Sequence, residues 1–295
     1  MQESAYQGRT ALIVEGGGMR GIFCAGVLDA FMEAEFDPFD LYIGVSSGAL
    51  NLSSHLAGQY QRNYRVITRY GVRPEFVSLG KFLRGGNLMD LDWMFDICER
   101  EDPVDVEAAA RRLGSKNFLM VATDLQSGQP AYLQPRPHNW TQCALASCAL
   151  PLVFRTRVWI EGKRYMDGGF SDPIPVREAY KRGARRIVVV RTREFDYQKH
   201  PNIMTWVNAW AFRAHPAFRA CILNHAHTYN QALRFIAHPP EGVEMIHIAP
   251  QQPLASKRTT RDLQALEKDY RLGLELGREA LASFPFPKAH WQQGS

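Results

Sequence analysis

The stretch Ala11-Leu12-Ile13-Val14-Glu15-Gly16-Gly17-Gly18-Met19-Arg20-Gly21 decides how this chain is read, because it joins a short apolar β-rich run to three glycines in a row. Beyond it, Ile22, Ala25, Gly26, Leu28, Asp29, Phe31 and Met32 follow helical spacing, so the unit is strand, tight turn, helix. The same grammar returns from Asp40: Leu41, Tyr42 and Ile43 enter Gly44-Val45-Ser46-Ser47-Gly48, and a small-residue helix is predicted from Ala49 to about Gly58.

Working outward, residues 117–123 read as a further strand, with 131–134 as its antiparallel neighbour across Ser127-Gly128. Residues 157–165 read as a hairpin about Glu161-Gly162 that leads into Asp167-Gly168-Gly169. Within 186–191, Ile187-Val188-Val189-Val190 is a continuous apolar run of the kind found in strands covered on both faces. Residues 243–248 are the last strand candidate, and 259–283 form a long amphipathic helix that stops before Pro285 and Pro287. Alternating strands and helices predict an α/β fold with a mostly parallel central sheet and helices on both faces. A single domain over 8–285 is expected, with cap segments at 70–112 and 194–240, where the pattern is less regular and rich in aromatics, and a tail at 286–295.

Of the 295 residues, 45% are hydrophobic and 22% charged, enough to bury a large core. The net charge of +5 and a pI of about 9.0 favour anionic surfaces, but the Arg residues are scattered, and no Lys/Arg run, RNP-like or zinc-finger signature points to nucleic acid. Cys24, Cys98, Cys143, Cys148 and Cys221 form no C-x-x-C pair, and an odd number argues against a disulfide framework, so a reducing, cytoplasmic home is expected. No signal-peptide core or spanning apolar run is visible, which leaves peripheral contact as the expected mode of any membrane association. No Cys/His/Asp cluster has ligand spacing, so neither a metal nor another cofactor is expected.

The glycine run also fits the G-x-G-x-x-G fingerprint of dinucleotide sites. Such a site needs an acid at the end of the next strand, and this chain has Gly44-Val45-Ser46 there. In either reading the glycines expose backbone N–H groups beside a helix N-terminus, where an anion is stabilised. Gly16, Gly17 and Gly18 are therefore candidate oxyanion donors, Gly17 and Gly18 foremost. Arg20 is either a substrate or phosphate contact or a structural ion pair. Gly44-Val45-Ser46-Ser47-Gly48 fits the G-x-S-x-G elbow, which turns a strand into a helix and exposes the central hydroxyl; Ser46 is that centre and Ser47 the competitor. A serine needs a base. His200, His215, His225, His227, His238, His247 and His290 all follow Asp167, but none sits in a recognisable partner motif, whereas Asp167 precedes two glycines at the end of a hairpin.

Taken in order, G-G-G-x-R-G near the N-terminus, G-x-S-x-G one βα unit later and D-G-G at Asp167 resemble the patatin-like phospholipases. Ala146-Ser147-Cys148-Ala149-Leu150-Pro151 resembles the small-residue A-S-x-A-x-P stretch of that family, and the likeness spans about 11–191. The resemblance implies a three-layer α/β/α sandwich and a Ser-Asp dyad without histidine: Ser46 as nucleophile, Asp167 as base, the backbone of Gly16, Gly17 and Gly18 as oxyanion hole, and a lipid or other acyl ester as substrate. Acyl transfer, thioester hydrolysis and a catalytically silent lipid-binding role are the alternatives. Ile203, Trp206, Val207, Trp210 and Phe212 fit one helical face, either buried or resting on an anionic membrane with Arg213 and Arg219 nearby.

Overall fold

In the computed structural model, which describes residues 9–284, both strand-turn-helix units form. The first is β1 (Arg9–Val14) and α1 (Gly21–Glu33), joined through a short 3-10 turn at Gly18–Arg20. The second is β2 (Leu41–Val45) and α2 (Ser47–Leu56), which starts two residues before the small-residue pattern indicates because Ser46 itself is the N-cap. Helices α3 (Arg62–Val66), α4 (Leu79–Leu83), α5 (Leu91–Glu101) and α6 (Val106–Leu113) precede β3 (Asn117–Asp124). Next come β4 (Pro130–Leu133), α7 (Trp140–Cys148), β5 (Val158–Ile160), β6 (Lys163–Asp167), α8 (Val176–Lys181) and β7 (Ala184–Val190). The last elements are α9 (Ile203–Ala211), α10 (Pro216–Ala237), β8 (Glu244–Ile248) and α11 (Leu263–Ser283).

The sheet runs β5-β6-β3-β2-β1-β7-β8, with β4 added against β3. From β3 to β8 all neighbours are parallel, whereas β4, β5 and β6 enter antiparallel. Alternate side chains of one strand serve opposite cores. Leu12 and Val14 pack with Phe23, Val27, Leu266 and Tyr270 of α1 and α11, while Ala11 and Ile13 pack with Val176, Tyr229, Leu233 and Ile236 of α8 and α10. This is a three-layer α/β/α sandwich with a mostly parallel sheet. The run Ile187–Val190 is fully buried and feeds both cores by the same alternation, at about 1.5–3 kcal/mol per side chain.

The stretch 194–240 is more regular than its composition indicates. α10 opens with Pro216 at its first position and buries Phe218, Ile222, Ala226, Tyr229, Leu233 and Ile236, a three-to-four spacing interrupted by His and Asn on the other faces. In 70–112 the chain forms α4 to α6 and a single antiparallel bridge between Val77 and Met89. α11 starts at Leu263, where the Asp262 carboxylate accepts from the Gln264 and Ala265 N–H groups. The predicted tail at 286–295 lies outside the described residues. Among the described residues, no helix is long and apolar enough to cross a membrane.

From β1 the chain crosses by α1 to β2 on one side, while β7 flanks β1 on the other. The crevice beyond the carboxyl ends of β1 and β7 is thus the point where strand order reverses, the usual place for a ligand in an open α/β sheet.

Candidate active site

Ser46 occupies the turn from β2 to α2 at φ 53° and ψ −126°, a left-handed conformation that costs a non-glycine residue about 1–3 kcal/mol. The surroundings enforce it. The Ser46 N–H donates to Ser147 Oγ at 2.9 Å, the Ser147 hydroxyl donates to Val121 O at 2.7 Å, and Ser46 O accepts from the Ala49 N–H at 2.9 Å. Neither flanking glycine has a positive φ. Gly48 is required for close approach instead: a Cβ there would lie 2.2 Å from Val14 O, forcing α2 off the end of β1.

The glycine loop rests directly on this elbow. Gly18 has φ +59°, and the next N–H, of Met19, donates to Arg258 O at 3.1 Å. The Gly17 N–H donates to Ser47 Oγ at 2.8 Å, which fixes the rival hydroxyl in the scaffold and occupies that N–H. The Gly16, Gly18 and Ser47 N–H groups have no acceptor among the described residues.

Beneath the loop lies a polar network that sequence reasoning missed. Glu15 Oε1 accepts from the Tyr229 hydroxyl at 2.7 Å, and Oε2 accepts from the Thr192 N–H at 2.7 Å. The Thr192 hydroxyl lies 3.0 Å from Gly16 O. Arg191, fully buried, donates to the Tyr229 hydroxyl at 3.4 Å and lies 3.1 Å from His247 Nε2. Burial, then the Arg191 charge, pushes His247 down to about 4. The available signal was Arg191-Thr192, a charged and polar pair placed straight after a fully apolar strand.

Asp167 ends β6 and is buried, 3% exposed. Its Oδ1 accepts from the Gly169 N–H at 2.8 Å, while Oδ2 has no hydrogen-bond partner among the described residues. Burial pushes its carboxyl above the usual carboxylate range, opposed by the Ser46 hydroxyl, the Gly169 N–H and the positive charges of Arg258 and Lys199. Of the seven histidines considered as bases, His290 lies outside the described residues, and His200 and His225 line the cavity that also holds Asp167. His225 is driven far below its usual range by burial first, then by Lys199 and Arg258. Cys148, also near Ser46, is held as a thiol by burial and by the Asp167 charge.

Two cavities meet at Ser46, Gly18 and Leu150, which line both. One, of about 340 Å³, has mainly apolar walls that include Val66, Phe76, Met94, Trp140 and Phe154. The other, of about 170 Å³, holds Asp167 with Arg20, Arg193, Lys199 and Arg258. Arg20 is buried, its Nε has no partner, and no carboxylate lies within 4 Å of its guanidinium among the described residues. The structural ion pair considered for it is therefore absent among those residues, and the side chain faces the cavity. Among the described residues, no group of three or more His, Cys, Asp or Glu side chains could hold a metal ion.

The face of α9 is exposed rather than buried: Trp206 is 61% and Trp210 68% accessible, while Met204 also reaches the cationic cavity. Phe212 departs from this face and packs inward, its ring centroid 4.9 Å from that of Phe218.

A family model described as patatin-like phospholipase matches residues 12–180, over half of the chain, and a second, the domain of unknown function DUF6363, matches 215–285. The chain belongs to the patatin-like phospholipase family, a family of lipid-ester hydrolases. The "Uncharacterized protein YjjU" of Escherichia coli (strain K12) is 41% identical over 278 residues, covering 94% of this chain and 78% of that protein. "Lysophospholipase NTE1" of Candida albicans (strain SC5314) is 25% identical over 233 residues, 70% of this chain but only 15% of NTE1. Among solved structures, VipD from Legionella pneumophila aligns over 94% of this chain and 67% of its own, with a TM-score of 0.46 and 13% identity.

Proposed function

We propose that this chain hydrolyses fatty acyl esters of lipids through an acyl-serine intermediate, with Ser46 as nucleophile and Asp167 as the general base. The observation that carries this reading is the placement of Ser46. A strained serine stands between an apolar cavity and a polar one that contains a buried carboxylate, one oxygen of which has no hydrogen-bond partner among the described residues. The Asp167 carboxylate takes the Ser46 proton as Oγ attacks the ester carbonyl, with the acyl chain in the 340 Å³ cavity. As the carbonyl oxygen becomes negative it is stabilised by the Gly16–Gly18 loop and the first turn of α2. Within that loop the Gly17 N–H already serves Ser47, which leaves the Gly16 and Gly18 N–H groups of the loop and the Ser47 N–H of α2 as the donors. Protonated Asp167 gives that proton to the departing alcohol oxygen; the regenerated carboxylate then takes a proton from water as it attacks the acyl-serine, and returns it to Ser46 Oγ as the fatty acid leaves.

Residues 9–284 work in this reading as one hydrolase domain. The 70–112 segment walls the acyl cavity with Phe76, Met89 and Met94, and the 194–240 segment walls the polar one with Lys199 and His225. The exposed Trp206 and Trp210 next to the polar cavity fit interfacial contact, with Arg213, whose guanidinium lies 4.6 Å from the Trp210 centroid, facing anionic headgroups.

The test is labelling by a fluorophosphonate probe with peptide mass spectrometry. An adduct on Ser46 that disappears in Ser46→Ala is expected; an adduct on another serine, or retained ester hydrolysis by Ser46→Ala, refutes the assignment.

A further inference from the structure

The polar cavity has an unbalanced charge. Arg20, Arg193, Lys199 and Arg258 line it against two carboxylates, Glu15 and Asp167. Glu15 accepts from Tyr229 and Thr192, and its charge offsets only part of what burial does to Arg20 and Lys199; Asp167 is the base in the proposed mechanism. None of the four cations has a carboxylate within 4 Å among the described residues. Arg258 is exposed and loses little by this, but Arg20 is buried and Lys199 half-buried. Burial first, then Arg258, pushes the Lys199 ammonium down to about 8, and burial with Arg193 pushes Arg20 down to about 10. Buried positive charge without a counter-ion is costly, and an incoming anion relieves it.

We infer that these four cations form a site for the phosphate of the substrate's polar head, and that the site favours lipids with a net-negative head over zwitterionic choline lipids. The inference rests on the proposed acyl hydrolysis at Ser46 and adds to it the half of the substrate that the apolar cavity does not hold. Discrimination against choline follows from what surrounds the cations. A quaternary ammonium needs a carboxylate or an open aromatic face. Here the Tyr197 ring is already covered by Arg193, whose guanidinium is 4.5 Å from its centroid, and the Tyr229 ring by Lys199, whose Nζ is 4.9 Å away. An added ammonium meets four like charges, while the two carboxylates of the cavity are engaged, Glu15 with its donors and Asp167 as the base of the proposed reaction. The site also gives the segment 215–285 a role, since Arg258 supplies both a cation to the cavity and, through its carbonyl, the acceptor for the Met19 N–H.

The experiment has two arms. In the first, kcat/KM is measured for 1-acylglycerol 3-phosphate, 1-acylglycerophosphocholine and 1-monoacylglycerol of one chain length, all kept monomeric so that interfacial charge plays no part. The phosphate lipid is expected to exceed the choline lipid by at least about tenfold, the equivalent of one charge-assisted contact, and Lys199→Met with Arg258→Gln to bring that ratio close to one. Lys199→Arg, which keeps the charge, retains most of the preference, and unchanged hydrolysis of 1-monoacylglycerol by the double variant shows that its loss of preference is not misfolding. In the second arm, glycerol 3-phosphate and inorganic phosphate are titrated calorimetrically into Ser46→Ala protein, and glycerol 3-phosphate is tested as a competitive inhibitor of the wild type. Competitive inhibition together with the substrate ratio supports a headgroup site. Phosphate binding with a ratio near one means a site for free anion and overturns the inference; no binding and no preference overturns it altogether. Binding lost in the Lys199 and Arg258 variants, with no hydrolysis of any lipid, upholds the anion site while the proposed catalysis fails.

Discussion

Replacing Ser147 by alanine removes a single hydroxyl from a fully buried position, but that hydroxyl accepts from the Ser46 N–H at 2.9 Å and donates to Val121 O at 2.7 Å. Two hydrogen bonds at about 0.5–1.5 kcal/mol each give an expected destabilisation of roughly 1–3 kcal/mol. For a chain of this size, each kcal/mol lowers Tm by about 2–4 °C, so the midpoint should drop by roughly 2–12 °C. The functional effect is larger than this loss implies. Ser46 is held at φ 53° against a strain of about 1–3 kcal/mol, and releasing its N–H lets the elbow relax toward a conformation in which Oγ is misaimed. A fall in kcat of at least tenfold follows if about 1.4 kcal/mol of positioning is lost. KM should change little, since Ser147 lines neither cavity. Calorimetry of the variant and steady-state kinetics on a soluble short-chain ester measure both effects. A Ser147→Ala protein with kcat within about twofold of wild type would show that the elbow is held by something other than this bridge.

Activity should decline as pH falls through the Asp167 pKa, and because burial raises that pKa, the acid limb should lie above the range of an exposed carboxylate. The raised pKa also sets a stability sign. A carboxyl whose pKa is higher in the folded than in the unfolded chain contributes stability at low pH, and that contribution is lost as pH rises through the folded pKa. Asp167→Asn should accordingly be inactive yet melt higher than wild type at alkaline pH, with the gap closing in acid; equal pH dependence of the two melting curves would refute this. His225→Ala should keep most activity, in contrast to Asp167→Asn, and a comparable loss in both would make histidine the base. Met94→Trp, which fills part of the apolar cavity, should shift the preferred acyl chain to shorter lengths in a p-nitrophenyl ester series, while an unchanged profile would place the acyl chain elsewhere. Trp206→Ser with Trp210→Ser should reduce co-sedimentation with anionic vesicles, and binding equal to wild type would remove α9 from the interface.

What the sequence made legible was local. Glycines between a β-rich run and a helical run, the small-residue elbow around Ser46 and the apolar run 187–190 each state their conformation within a few residues, and the strands at 117–123, 131–134 and 243–248 follow the same logic. α10 was obscured because its buried positions, Ala226 and Tyr229 among them, are interleaved with Asn224, His225 and Asn230, and these polar neighbours blur the helical period. The support of the site was not legible at all. Glu15 and Tyr229 are 214 residues apart, and the cations Lys199 and Arg258 sit in irregular segments with no periodic pattern, so only the fold brings them to one cavity.

The costly features of the molecule coincide. Among the described residues, a serine in a left-handed backbone, a buried aspartate with an unpartnered oxygen, a buried arginine whose Nε is unpaired and a half-buried lysine with no carboxylate within 4 Å all adjoin one small volume beyond the carboxyl ends of β1, β2 and β7. The sheet beneath them is regular and buried on both faces, which is what allows such groups to be held in place. Each of these features lowers stability, and a chain kept only as a scaffold would gain by losing any of them. Their joint presence at the point where strand order reverses therefore favours a working catalyst over a silent relative. The same reasoning extends to the cations. The Glu15 charge acts on both Lys199 and Arg20, yet among the described residues no carboxylate lies within 4 Å of either, which is the arrangement the proposed headgroup site requires.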